Sequence, residues 1–199
     1  MNVEKLKEIG VCTKNLEWWS EQKNFGQAWV DCGQSPLLFE VLGCLSGGVG
    51  SISRKKLVYA CYECVKVALN YVTAHEERPK ILMKTILAYL NNKATLEDVR
   101  CACKDATVVW DYLQREVFYY NCAGDAYTIA RIASEFDAIK AVVSVGYVVL
   151  RNDDINDHAS RAIFCTADAA MYAGAAVTNE IWRHTMDIVR KHYPNPPIF

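Results

Sequence analysis

The chain has 199 residues, 52% of them hydrophobic and 23% charged, with a net charge of −1 and a pI of about 6.4. That length suits one domain with a core large enough to need neither disulfides nor a structural metal. The composition excludes intrinsic disorder, the charge balance gives no strong nucleic-acid signal, and no apolar run reaches the roughly 18 residues of a membrane span.

The first predicted helix starts at Asn15 as cap and runs through Leu16 and Trp19 towards Cys32. Gly26 weakens its middle, so two short helices are the alternative to one, and Gly33 stops it. Ser35-Pro36 opens a second helix, with Ser as cap and Pro in the first turn, and Leu37, Leu38, Val41 and Leu42 form its apolar face. Ser46–Ser51 is Gly-rich, but no Lys-Ser/Thr pair follows the last Gly and no strand precedes it. A linker therefore fits better than a phosphate cradle. Arg54-Lys55-Lys56 is read as a solvated helix start, and Lys55–Val72 as a helix.

Glu76-Glu77-Arg78-Pro79 opens the next helix, which continues over Ile81–Leu90 and ends at Asn91-Asn92. Thr95 and Asp98 form a capping box for a helix reaching Tyr120. Ala123-Gly124-Asp125 breaks the pattern before a long helix to Leu150. Its valines at 142, 143, 145, 148 and 149 have strand propensity, but no other strand exists to pair with them. After a polar turn, a last helix runs from about Asp157 to His192, bent at Gly174, with Asp154 or Asn156 as cap. The result is an all-α, compact single-domain bundle of about six to eight helices over residues 1–192, with a Pro-rich tail at 193–199.

The nine cysteines are odd in number and no signal-like segment precedes them. They are read as small core side chains in a reducing, cytoplasmic compartment. Cys61/Cys64 and Cys101/Cys103 fall inside helices, where residues two apart diverge by about 200°. The second pair therefore cannot share a metal ion while helical.

Asp153-Asp154-Ile155-Asn156-Asp157 spells DDxxD, with Arg161 four positions on. On a helical edge Asp153, Asp154 and Asp157 could hold magnesium against a diphosphate, as in the all-α isoprenoid synthases that this string resembles. No second acidic string faces it, so a solvated turn that favours the helix N-terminus is the competing reading. The four histidines show no metal or triad spacing. Trp18-Trp19 and Tyr119-Tyr120 are adjacent aromatic pairs whose members diverge on a helix. One of each pair becomes an exposed interface anchor, or both bridge two buried seams.

Trp29–Cys32 through Leu37–Glu40 resembles the opening helix of an immunity protein family found in bacterial toxin loci and tailed phages. The likeness continues in Arg78-Pro79, in Ala88-Tyr89-Leu90 before Leu96-Glu97, and in the Ala-rich run containing Ala159, Ala162 and Ala167–Ala173. The family's histidines are mostly missing, with His158 alone in place, and the Gly47–Gly50 insertion departs from its pattern. The resemblance implies a helical non-enzyme, without cofactor, that neutralises a protein partner. The alternatives are a protein that binds or sequesters a nucleotide-type small molecule, and a magnesium enzyme at the acidic string. A homodimer is compatible with the apolar share.

Overall fold

The computed structural model describes residues 3–123, 126–174 and 178–197, with side-chain burial left undefined over 120–123 and at 178. The described residues form ten α-helices and one 3-10 segment, and no strand occurs among them. The all-α expectation holds, while the count exceeds six to eight because predicted long helices are divided.

The Asn15–Cys32 run splits into α2 (Thr13–Ser20) and α3 (Phe25–Asp31), preceded by a short α1 (Val3–Glu8). The division falls ahead of Gly26, at Asn24, whose side chain accepts from the Gln27 N–H at 3.2 Å and caps α3. The expected Asp157–His192 helix is two, α9 (Ile155–Tyr172) and α10 (Thr178–His192). Gly174 has φ +74°, a left-handed conformation that terminates α9 where a bend was expected. The expected Lys55–Val72 helix is α5 (Ile52–Val65), which tightens into a 3-10 segment over Lys66–Tyr71. The remaining elements are α4 (Ser35–Leu45), α6 (Arg78–Leu90), α7 (Leu96–Ala123) and α8 (Ala126–Leu150). The break expected at Gly124-Asp125 lies outside the described residues.

The predicted caps have mixed outcomes. Thr95 and Asp98 do form a reciprocal box, with the Asp98 N–H donating to Thr95 Oγ1 at 3.1 Å and the Thr95 N–H to Asp98 Oδ2 at 2.7 Å. Asn15 lies inside α2 and donates its side-chain amide to Glu40. The buried Glu40 carboxylate also accepts the Cys12 N–H at 2.7 Å, so a side chain from α4 satisfies the start of α2. Ser35 sits in the first turn of α4 and hydrogen-bonds Thr185 Oγ1 of α10 at 2.7 Å. Asp154 occupies the N-cap position of α9 with φ +53°, but its side chain makes no cap bond.

One contiguous apolar cluster draws residues from every helix, from Leu6 of α1 to Val189 of α10. Its spine is α8, buried along Ala138–Val149 except at half-buried Lys140 and Tyr147. The valines there pack on α7, α9, α5 and α6, so tertiary burial overrides their strand propensity. Two glycines set close helix crossings. A Cβ on Gly43 of α4 would lie 2.4 Å from Asn156 Cα of α9, and one on Gly146 of α8 would lie 2.8 Å from Cys103 Sγ of α7.

Candidate functional site

The acidic string caps no cleft of converging carboxylates. Asp153, Asp154 and Asp157 are all exposed at the α8–α9 turn, and Asp157 pairs with Arg161 one turn along α9. Among the described residues no three His, Cys, Asp or Glu side chains gather as a metal site. Asp154 lines a cleft of about 410 Å³ with Arg54, Asn152 and Asn156.

The neighbouring Gly-rich loop is held from inside. Arg54, read from sequence as part of a solvated basic cluster, is only 2% exposed. Its Nε donates to Ser46 Oγ at 3.0 Å and its Nη2 to the Gly47 carbonyl at 2.7 Å. Its Nη1 donates to the Val148 and Arg151 carbonyls at 3.0 and 2.7 Å. The last two acceptors are at the C-terminal end of α8, where a cation suits the helix dipole. Burial pushes the Arg54 pKa down, with Tyr89 acting in the opposite sense. The loop's own N–H groups are engaged too, Gly47 N–H with Ser53 Oγ at 3.0 Å and Val49 N–H with Asn152 Oδ1 at 3.1 Å. Sequence reasoning missed Arg54 because its partners are backbone carbonyls, which no side-chain pattern announces.

The cysteine pairs sit as their helical spacing required. Cys61 and Cys64 are buried on α5, while Cys101 is exposed and Cys103 buried on α7. Burial raises the thiol pKa values of Cys61 and Cys64, and that of Cys103 to about 11. These are poor thiolates at neutral pH. Between α8 and α9, Asp137 is buried beside Lys140, Asp168 and Cys165. Burial pushes the Asp137 carboxyl up to about 6, opposed by Lys140 and reinforced by Asp168. His158 is buried with both ring nitrogens unpaired, its ring 4.9 Å from that of Tyr147. Burial first, and then Arg161, pushes its pKa down, so the neutral ring persists.

The predicted aromatic anchors divide. Trp19 is wholly buried, and its ring meets Trp18 edge-on at 4.7 Å. An interface role for Trp19 is therefore corrected: neighbouring positions diverge, and here the core takes Trp19 and leaves Trp18 half-buried. Tyr119 is 65% exposed near the end of α7. The Tyr120 side chain lies outside the described residues. The preceding residue, Phe118, is 76% exposed, and Tyr127 at the start of α8 is 79% exposed. Tyr127 also lines a cleft of about 460 Å³ with Tyr71, Arg131 and Tyr172.

A larger groove, about 780 Å³, runs between α5 with its 3-10 extension and α10. Tyr59, Tyr62, Glu63 and Lys66 face His184, Asp187 and Lys191 across it. Each set follows the i, i+3, i+4, i+7 spacing of one helix face. Tyr59 and Tyr62 stack at 6.3 Å, and His192 meets Tyr59 edge-on at 5.3 Å. Glu63 accepts from Lys191 Nζ at 2.9 Å and contacts His192 Nε2. Partial burial raises the Glu63 pKa, but the hydrogen bonds from His192 and Lys191 outweigh it and hold the carboxyl below its ordinary value. Both polar stripes are visible in the sequence. Apolar periodicity hid them, because it drew attention to the opposite faces of the same helices.

Fold and surface together give an all-α bundle with clefts on its outside and, among the described residues, no group of three His, Cys, Asp or Glu side chains that could hold a metal ion. Comparison with protein-family models, curated proteins and solved structures finds no match. No described helix is long and apolar enough to cross a membrane.

Proposed function

We propose that the chain is a non-enzymatic helical binding protein of the immunity type, of phage or prophage origin, that docks on a toxin or host-defence protein and blocks it. The observation that carries this reading is the exposure of three large aromatics, Phe118 and Tyr119 towards the end of α7 and Tyr127 at the start of α8. Large aromatics are the side chains that most often dominate the energy of protein interfaces. The reading includes a reducing, cytoplasmic setting, supported by eight free cysteines among the described residues. Its test is co-purification of the tagged chain with a defined partner encoded beside its gene. A stoichiometric complex that Phe118→Ser/Tyr127→Ser disrupts supports the reading. A complex indifferent to those changes removes the docking site.

The α5–α10 groove favours a second reading, a protein that binds or sequesters a nucleotide-type small molecule. Its volume falls within the range of ligand sites. Tyr59 and Tyr62 offer a stacking surface for a base, and Lys66 and His184 offer positive or hydrogen-bonding groups for phosphate. Thermal-shift titration with nucleoside mono-, di- and triphosphates tests it. A saturable rise in Tm that Lys66→Glu abolishes supports the groove, and a flat response across the series rejects it.

A further inference from the structure

α7 lies at the edge of the bundle, packed mainly on α6 and α8. Cys101, Asp105, Val108, Tyr112, Arg115 and Tyr119 are all exposed along its outer face. Their alternating spacing of four and three is that of a two-helix seam. Any outward face repeats in this way; what distinguishes this one is its filling. Val108 is 54% and Tyr112 58% exposed at the centre, with an acid, Asp105, on one side and a base, Arg115, on the other.

We propose that a second copy of the chain covers this seam, with the two α7 helices crossing antiparallel near residue 110. In that register Asp105 of each protomer faces Arg115 of its partner, and Val108 faces Tyr112, because both pairs are centred on residue 110. The two-fold axis makes every contact twice. Cys101 and Tyr119 meet at the two ends of the seam. Other arrangements of the same face are worse. A parallel pairing sets Asp105 on Asp105 and Arg115 on Arg115, which repel. An antiparallel slip of one heptad sets Arg115 against Tyr112 in one direction and Asp105 against Val108 in the other, so the Asp105–Arg115 pairing is lost.

Two charged groups beside the seam bear on this register. Arg78, held by Glu76 at the flank, adds positive potential beside Asp105. Asp111, exposed on the other flank, approaches its own copy near the crossing point and opposes association. The inference goes beyond the target-binding reading. The seam takes Tyr119 at its ends and leaves Phe118 and Tyr127 for another partner, so a dimer carries two such sites related by its two-fold axis.

Sedimentation of the full chain under reducing conditions, across a concentration series, tests the dimer. A reversible monomer–dimer equilibrium is expected. Asp105→Arg and Arg115→Asp should each raise its dissociation constant by about tenfold, since each change turns two attractive pairs into repulsive ones. An equimolar mixture of those two variants, and the double variant Asp105→Arg/Arg115→Asp, should both restore association. Tyr112→Ser should abolish it, and Asp111→Asn should tighten it. All four positions are solvent-exposed, and circular dichroism verifies that each variant folds. A wild-type chain that stays monomeric overturns the proposal. So does a dimer that the single charge reversals leave unchanged, or one that the mixture fails to restore. The Phe118→Ser/Tyr127→Ser variant should dimerise normally, which separates failure here from failure of the target-binding reading.

Discussion

The two ends of α8 treat their polar and aromatic groups in opposite ways. At the C-terminal end, the Gly-rich loop and the acidic turn meet around Arg54, whose guanidinium donates four hydrogen bonds to the chain itself. At the N-terminal end, Tyr127 joins Phe118 and Tyr119 of α7 in solvent. The end with the glycine and acidic strings is a joint closed by Arg54 with its carboxylates left exposed, and the other end presents exposed aromatics. A motif built from glycines and carboxylates is easily used for closing turns, because those residues tolerate tight backbone and satisfy stray N–H groups. Exposed large aromatics have no comparable structural use, so their presence on a surface is the stronger sign of a partner.

Removing Arg54 should break the locked end with the largest effect of any change considered. Arg54→Met keeps the length of the side chain but strands the Gly47, Val148 and Arg151 carbonyls. A loss of about 3 kcal/mol is expected from leaving such buried acceptors without a donor. Urea denaturation would measure it. A loss under about 0.5 kcal/mol, the level of an ordinary surface change, would mean that Arg54 behaves as the solvated residue its sequence context suggested.

Gly43→Ala sharpens the same joint from the packing side. The added methyl would fall 2.4 Å from Asn156 Cα, a backbone atom that no rotamer change can move aside. A cost of about 2 kcal/mol follows from overpacking at a helix crossing. Gly33→Ala is the control, because a Cβ there meets nothing within 4 Å. A Gly43→Ala loss no larger than that of Gly33→Ala would show that the α4–α9 approach sets no cost.

Much of this joint was out of reach of the sequence. Apolar spacing marked the helices, and the Thr95–Asp98 box and the Ser35-Pro36 start were readable because a helix N-terminus is a local event. The breaks before Asn24 and after Tyr172 were marked in the sequence only by Gly26 and Gly174, read as a weakened middle and a bend. Arg54, Glu40 and the facing stripes of the groove depend on partners a few dozen to more than a hundred positions away, so their meaning comes only with the packing. For the exposed end, Tyr119 was legible because adjacent helical positions must diverge. The same argument at Trp18-Trp19 gave the right divergence but not which of the two is buried.

The α8–α9 contact lies between the two ends and should respond to pH. The Asp137 carboxyl has a folded pKa of about 6, above its ordinary 3.8, so the folded state binds more protons between those values. Its contribution to stability is therefore present in acid and declines as pH rises from about 4 to 6. Asp137→Asn should remove this decline, so the variant gains on the wild type as pH rises through that window. His158 acts in a higher window and in the opposite sense. It stays neutral when folded, so protonation of the unfolded chain costs stability as pH falls through its ordinary value near 6.5. Urea midpoints of Asp137→Asn and wild type at pH 4.5 and 7 give the difference. A gap that does not widen at the higher pH would mean that Asp137 is ionised and satisfied by Lys140.

The smallest effect is expected at the open end, and its smallness is the point. Phe118→Ser/Tyr127→Ser removes two large apolar side chains, yet each is more than three-quarters exposed in the folded chain. Little burial is lost on unfolding, so stability should change by no more than about 0.5 kcal/mol. A loss approaching that of Arg54→Met would show that these rings pack within the chain in solution. They would then be structural, and the contrast between the two ends of α8 would disappear. Unchanged stability in a variant that no longer holds a partner would separate binding from folding at this end, a separation that the Arg54 joint does not permit.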